Sequence, residues 1–312
     1  TARRRWLTAA AGVAAAAVVA VAVTVLPGHD TPAAVASGTP PMLAYPVGPE
    51  AVASGEGEPA RDTLLALAAA ASEQDAPDPA GDVQHTLSQN YWASTTVDGT
   101  ESSTTIDPVV SETWVRPDGS SVNLEWRGDP LLADGALEAV STAPQDAVVD
   151  RIPAGTFDAG QVADLPRDPA ALRAALLAPY AHLGCGPDGD PAAGPWCVYF
   201  AVTGIADFLV LPPDLEAAIW RVLADEPGLT LAGTVEDRAG HESVAVSVPA
   251  SPGDVDPTVR MLLVDRSTGR LSGREEITLS SEVMQITEPT VTNFRYTLAS
   301  DWVAEVGGPP EE

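Results

Sequence analysis

Lysine is missing from this 312-residue chain: its 16 basic residues are all arginine, set against 44 acidic ones. Arg3, Arg4 and Arg5 precede every acid, so beyond residue 26 the 44 acids face only 13 arginines. Such a surface repels phosphate backbones and anionic headgroups, which excludes nucleic acid as a partner. The acids themselves read as solvating groups of an Ala-rich chain rather than as a site for a cationic partner. Histidine is scarce too: His29, His85, His182 and His241 are scattered and read as surface residues. No Gly-rich phosphate loop, G-x-S-x-G elbow or H-E-x-x-H pair occurs. No catalytic residue, metal ligand or cofactor is therefore assigned. "PDGD" at 187–190 lacks the ligand ladder and closing Glu of a calcium loop, and Asp75, Asp78 and Asp82 read as solvated.

Only two cysteines occur, Cys185 and Cys197, in "GCGPDGDPAAGPWC". The pair has neither the spacing of a C-x-x-C redox motif nor a neighbouring His cluster to complete a zinc site. In an exported protein such a pair is expected to oxidise. Closing this loop would stabilise the fold by about 3 kcal/mol on the chain-entropy model.

Export is what the N-terminus predicts. Leu7 to Leu26 is an uncharged run containing nine Ala and six Val. At helical rise it matches a bilayer's hydrocarbon core. The arginines before it place residues 1–6 in the cytoplasm as a stub, 7–26 across the membrane, and everything beyond outside, with Trp6 at the interface. The chain opens on Thr, and further cytoplasmic sequence is expected upstream, where a regulatory partner would bind. Two alternatives remain. Ala34-Val35-Ala36 has the small residues of a signal cleavage site, and "RRRWL" loosely resembles a twin-arginine export signal.

Residues 27–60, with "SGTPP", "PVGP" and "SGEGEP", read as a Pro/Gly/Ser-rich linker. The segment 61–306 is expected to be one α+β domain, followed by a disordered acidic tail at 307–312. "RDTLLALAAAASEQ" predicts a helix from 61, capped by Asp62 or Thr63. From Val83 to Arg127 the composition is that of strands, with turns at Asp98-Gly99 and Asp118-Gly119. In the last of these strands Val122, Leu124 and Trp126 alternate with Ser121, Asn123 and Glu125. Residues 128–166 carry no clear pattern. Asp168 and Pro169 start a helix with Leu172, Leu176 and Leu177 on one side. Residues 202–228 read as two helices broken at Pro212-Pro213, the second with the stripe Leu215, Ile219, Val222 and Leu223. Short strands then recur to Leu298, with Val244, Val246 and Val248 on one face, and Phe294, Tyr296 and Leu298 on another. The expectation is a curved antiparallel sheet built from an N-terminal and a C-terminal set of strands, with a helical insert packed on one side.

The ordered set "SETWVRPDGS", "LPRDPAALRAALL", "IADFLVLPPDLEAAIWRVLADEPGLTLAGTVEDRAGHESVAV" and "LLVDRSTGRLSGRE" resembles an actinobacterial family of membrane-anchored extracytoplasmic proteins of unknown function. Its genes often stand beside those of extracytoplasmic-function sigma factors. The resemblance covers most of 60–306 and is most specific from 164 to 275. It implies a signalling or envelope role. The family has no established catalytic or ligand residue to carry over, and the cysteine-containing insert is not part of its pattern.

Three function classes follow: a non-enzymatic sensing or regulatory ectodomain, a binding module for an apolar or lipid ligand, and an unrecognised hydrolase, ranked last. An apolar cleft is expected between the sheet and the helices at 203–225, lined by Phe208, Leu211 and Trp220. The competing reading is that these three complete the core, which burial statistics favour for an aromatic at helical spacing.

Overall fold

The computed structural model describes residues 39–76, 79–98, 101–127, 143, 147–155, 158–187, 189–250 and 254–307. The expected membrane helix at 7–26 and the tail from 308 lie outside them, and among the described residues no helix is long and apolar enough to cross a membrane.

The chain enters with helix α1 (Pro49–Ala53), the two-residue strand β1 (Glu58–Pro59) and helix α2 (Arg61–Ser72). Helix α2 starts where its composition predicts, but Ala60 occupies the cap position and no side chain caps it. Strands β2 (Val83–Asp98), β3 (Glu101–Val115) and β4 (Ser121–Arg127) follow as two hairpins. At the second bend Gly119 takes φ 78°, which favours glycine, and the Asp118 carboxylate accepts from the Ser120 amide at 2.9 Å. The segment without a clear pattern supplies β5 (Val148–Ile152) and the short helix α3 (Gln161–Asp164).

Helix α4 (Pro169–Leu177) begins as read: Asp168 accepts from the Ala171 amide at 3.0 Å, and Leu172, Leu176 and Leu177 are buried. Helices α5 (Gly194–Ala206) and α6 (Pro213–Asp225) are separated by the turn that ends in Pro212. Strands β6 (Thr230–Glu236), β7 (Glu242–Val248), β8 (Thr258–Asp265), β9 (Leu271–Thr278) and β10 (Thr290–Val303) complete the fold.

All ten strands form one antiparallel sheet in the order β1-β6-β7-β8-β9-β10-β2-β3-β4-β5. The pairing of β10 with β2 joins the C-terminal run of strands to the N-terminal run, with the helices of 161–225 inserted between β5 and β6. This is the α+β arrangement that the pattern predicts. Val244, Val246, Val248, Leu262 and Val264 form the core with α2 and the inserted helices. Met261, Leu263, Ile277, Phe294 and Tyr296 point to the opposite face and pack against Tyr45 and Val52.

That second core corrects the expectation of a linker over 27–60. From Thr39 onward the segment is described, and it straps the outer face of the sheet. The Val47 amide donates to the Ala232 carbonyl at 2.9 Å, and Pro46 lies where any Cβ on Gly233, at φ 111°, would collide with it at 2.6 Å. Proline and glycine here serve a close approach between two segments of the chain. Their abundance reads as a tether only when the partner strand is unknown.

Candidate functional site

Helix α5 is apolar on most of its circumference, and its sides face different surroundings. Val198, Ala201, Val202 and Ile205 enter the helix-side core. Tyr199 and Thr203, one turn apart, are also buried, and together with Phe200 and Phe208 they line a cleft of about 230 Å³ between α5 and the sheet. The helix is tied at its start by the disulfide between Cys197 and Cys185, with Cα atoms 5.5 Å apart. It begins at Gly194, inside the loop that the two cysteines close. At its other end Asp207 is clamped to the sheet.

The clamp has a simple electrostatic cause. Arg274 on β9 and Arg295 on β10 are direct register partners, so two guanidiniums lie side by side on one face. The Asp207 carboxylate takes both: Arg274 grips it through two nitrogens, and Arg295 Nε stands 3.2 Å from Oδ1. Arg295 also donates to the Asp207 carbonyl at 2.6 Å and to Asn90 Oδ1 at 3.2 Å. Burial would raise the Asp207 carboxyl, but the two arginines outweigh it and hold it below the usual carboxylate range. Both guanidiniums are thus paired with the Asp207 carboxylate, although Arg295 Nε, buried 3.2 Å from it, makes no hydrogen bond.

What remains open in the cleft is a row across three strands. Asn293 on β10 lies directly opposite Glu276 on β9 and Trp92 on β2. Neighbouring strands are about 4.8 Å apart, so a carboxylate, an amide and an indole follow one another at that spacing. Glu276 has Arg260 Nε 3.8 Å away, while Arg260 is held in two bonds by Asp254 at 2.7 and 2.9 Å. Above the row, the Tyr199 side chain is almost wholly removed from solvent, at 3% exposure, and its hydroxyl has no hydrogen-bond partner. Burial pushes this phenol well up, which keeps the hydroxyl protonated and able to donate.

The residues expected to line an apolar cleft do not come together. Phe208 lines the cleft beneath α5. Leu211 lines a second cavity of about 520 Å³, beside Val210, Pro212, Pro213 and Trp302. Trp220 lines neither cavity: it is fully buried in the core, with its indole nitrogen donating to the Gly269 carbonyl at 2.6 Å. The cleft lies between α5 and the sheet, and its floor is polar. The signal for this is in the sequence: on the helix-covered face β7 offers Val at alternate positions, whereas β9 offers Arg274 and Glu276. Tyr199, Asn293, Glu276 and Trp92 carry no motif.

Among the described residues no three His, Cys, Asp or Glu converge as metal ligands. Asp190 caps the turn after the cysteine through the Ala192 amide at 2.9 Å, and Asp75 and Asp82 border the second cavity. Asp78, Asp188 and His29 lie outside the described residues.

No family model matches the chain, and no curated protein does. Two solved structures are similar at a low level. The complex of Pseudomonas aeruginosa MucA/MucB has 17% identity and a TM-score of 0.24, and the match covers 79% of this chain and 58% of that one. A DUF1329 family protein from Desulfovibrio piger has 11% identity and a TM-score of 0.22, over 80% and 95% of the respective chains. At such scores neither likeness carries an argument about this protein.

Proposed function

We propose that the chain is a non-enzymatic, single-pass membrane protein whose exported domain binds a small polar ligand beneath α5 and reports its presence to a cytoplasmic regulatory partner. The Tyr199 hydroxyl carries the reading. A buried hydroxyl without a partner costs about 1–3 kcal/mol, and a ligand atom that accepts from it removes the penalty. The role as reporter rests on the Arg-flanked span at 7–26 and on the family resemblance. A hydrolase is disfavoured because the best-buried carboxylate of the cleft, Asp207, is immobilised between two arginines and, among the described residues, no histidine lines the site.

A lipid is a poor occupant of this cleft, since an acyl chain would desolvate Glu276 and Asn293 without pairing them. The second cavity, where Val210, Leu211, Pro212, Pro213 and Trp302 make an apolar wall bordered by Asp75, Asp82 and Arg270, has a size within the usual range for small-molecule sites and supports the apolar-ligand alternative separately.

The test uses full-length protein in nanodiscs, from which small molecules are extracted and identified by mass spectrometry. A polar compound that co-purifies with the wild type and is depleted from Tyr199→Phe is the expected outcome. A compound retained equally by Tyr199→Phe, but lost from Leu211→Gln, moves the site to the second cavity. Protease added to intact cells should remove the domain from its anchor, and a soluble mature form starting near residue 37 would replace the anchor with a cleaved signal.

A further inference from the structure

From the chemistry of the cleft we infer that its ligand is a neutral saccharide, bound through its hydroxyls to Glu276, Asn293 and Tyr199 with a ring face against Trp92. The inference rests on the reading of the cleft as the binding site, and it follows from what each lining group still has to offer. Arg274 is held by Asp207 and Arg295 by Asn90 and the Asp207 carbonyl; Arg295 Nε makes no hydrogen bond, but it is buried 3.2 Å from the Asp207 carboxylate, which already occupies the place of an anion. Arg274 and Arg295 stand among Asp207, Glu276 and Glu125, with Arg260 3.8 Å from Glu276, so the carboxylates of the cleft are not the uncompensated negative field that an organic cation would need. A neutral partner suits this balance.

The open groups define that partner further. Asn293 makes no side-chain hydrogen bond among the described residues, and it presents both donors and an acceptor. A carboxylate beside it accepts only, and the Tyr199 hydroxyl donates from above. A single planar carboxylate or amide, with two polar atoms on one carbon, spans the hydroxyls of two adjacent ring carbons, each of which both donates and accepts, and the next group at strand spacing reaches further along the ring. The indole of Trp92, next in the row, offers an apolar face to the C–H side of the same ring. At about 230 Å³ the cleft is smaller than the ~300–1,000 Å³ of drug-sized sites, which fits one ring or the end of a longer glycan.

The experiment is saturation-transfer NMR and calorimetry on the full chain in nanodiscs, with glucose, N-acetylglucosamine and trehalose, and with choline and inorganic phosphate as charged probes. Saturable binding of at least one sugar is expected, weakened at least tenfold in Asn293→Ala and in Tyr199→Phe, and absent for choline and phosphate. Tyr199→Phe removes one oxygen that has no partner, so its unfolding midpoint should not fall, which separates lost binding from lost fold. Binding of choline or phosphate alone, dependent on Tyr199, overturns the saccharide but leaves the cleft as the site. Absence of sugar binding up to millimolar concentration overturns the saccharide as well. Sugar binding indifferent to both substitutions places the ligand elsewhere and overturns both readings.

Discussion

Tyr45 and Glu275, 230 positions apart, are joined inside the protein by a 2.9 Å hydrogen bond from the phenol to the carboxylate. Glu275 also accepts from Arg238 Nε at 2.6 Å and from the Tyr296 hydroxyl at 3.2 Å. Both charged side chains of this pair are at 0% exposure. Arg238 reaches on to the Pro41 carbonyl at 2.9 Å and lies 4.8 Å over the Phe294 ring. The strap at 39–53 therefore supplies a donor and an acceptor to a buried ion pair, and covers it. Tyr45→Phe is expected to lower stability by about 1–2 kcal/mol, and Glu275→Gln, which leaves a buried guanidinium without its counter-charge, by about 3–5 kcal/mol. Urea unfolding measures both. An unchanged midpoint in Tyr45→Phe would show that the strap adds nothing to the pair.

The disulfide fixes the start of the helix that roofs the cleft. Replacing both cysteines by serine, or adding reductant, should lower stability by about 3 kcal/mol, because the open loop regains its freedom in the unfolded chain. Matched urea titrations with and without reductant give the difference. Identical midpoints, together with two titratable thiols in protein taken from the envelope, would show that the bond is not formed.

Local grammar carried much of this fold. The Asp168-Pro169 start, the Asp118-Gly119 bend and the valines of β7 each depend on residues within one turn or one strand. Register between distant strands is another matter. Nothing near Trp92 indicates that Asn293 will lie opposite it, and the face shared by Phe294 and Tyr296 does not extend to Leu298, because β10 shifts register between Thr297 and Ala299. Trp220 beside Arg221 looks like a helix rim. The turn at 265–270, which presents the Gly269 carbonyl to the indole, is what draws it inside. The chemistry of the cleft depends on pairings across some 200 residues, such as Trp92 with Asn293, which no periodicity reveals.

Glu216, in the first turn of α6, gives a pH-dependent prediction. One carboxylate oxygen accepts from the Leu271 amide at 3.1 Å, and the other is buried without a partner. Burial is the main cause that pushes the carboxyl up from the ordinary 4.5 to about 7, against the smaller opposing effects of that amide and of Arg270. The raised value in the folded state means that its contribution is complete below pH 4.5 and is lost as pH rises through about 7. Glu216→Gln keeps the acceptor and carries no charge. It should match the wild type in acid and exceed it by roughly 1–3 kcal/mol above neutrality. Thermal melts across that range check it, and a variant less stable at every pH would show that the ionised carboxylate is the form the fold needs.

His85 should respond in a higher window, and it stands at the seam of the sheet. On β2 its Nδ1 lies 2.8 Å from Asp301 of β10 and its Nε2 lies 3.0 Å from Glu112 of β3, while its ring stacks on Trp114 at 5.3 Å. A neutral imidazole has one N–H to donate, and two carboxylates call for two. Burial acts to lower its pKa, but the hydrogen bonds and charges of Glu112 and Asp301 outweigh burial and raise it above the ordinary 6.5. The charged clamp across β10, β2 and β3 is then complete below 6.5 and is released as pH rises through the raised value. Wild-type stability should fall as pH rises above 6.5 and through the raised value, by about 1 kcal/mol or more, and His85→Gln should flatten that fall while lowering stability in mild acid. Amide exchange should localise the change to the pairing of β10 with β2, where the two runs of strands meet. An imidazole that titrates by NMR at or below its ordinary value would refute the clamp, because two acceptors at these distances cannot both be satisfied by the neutral ring.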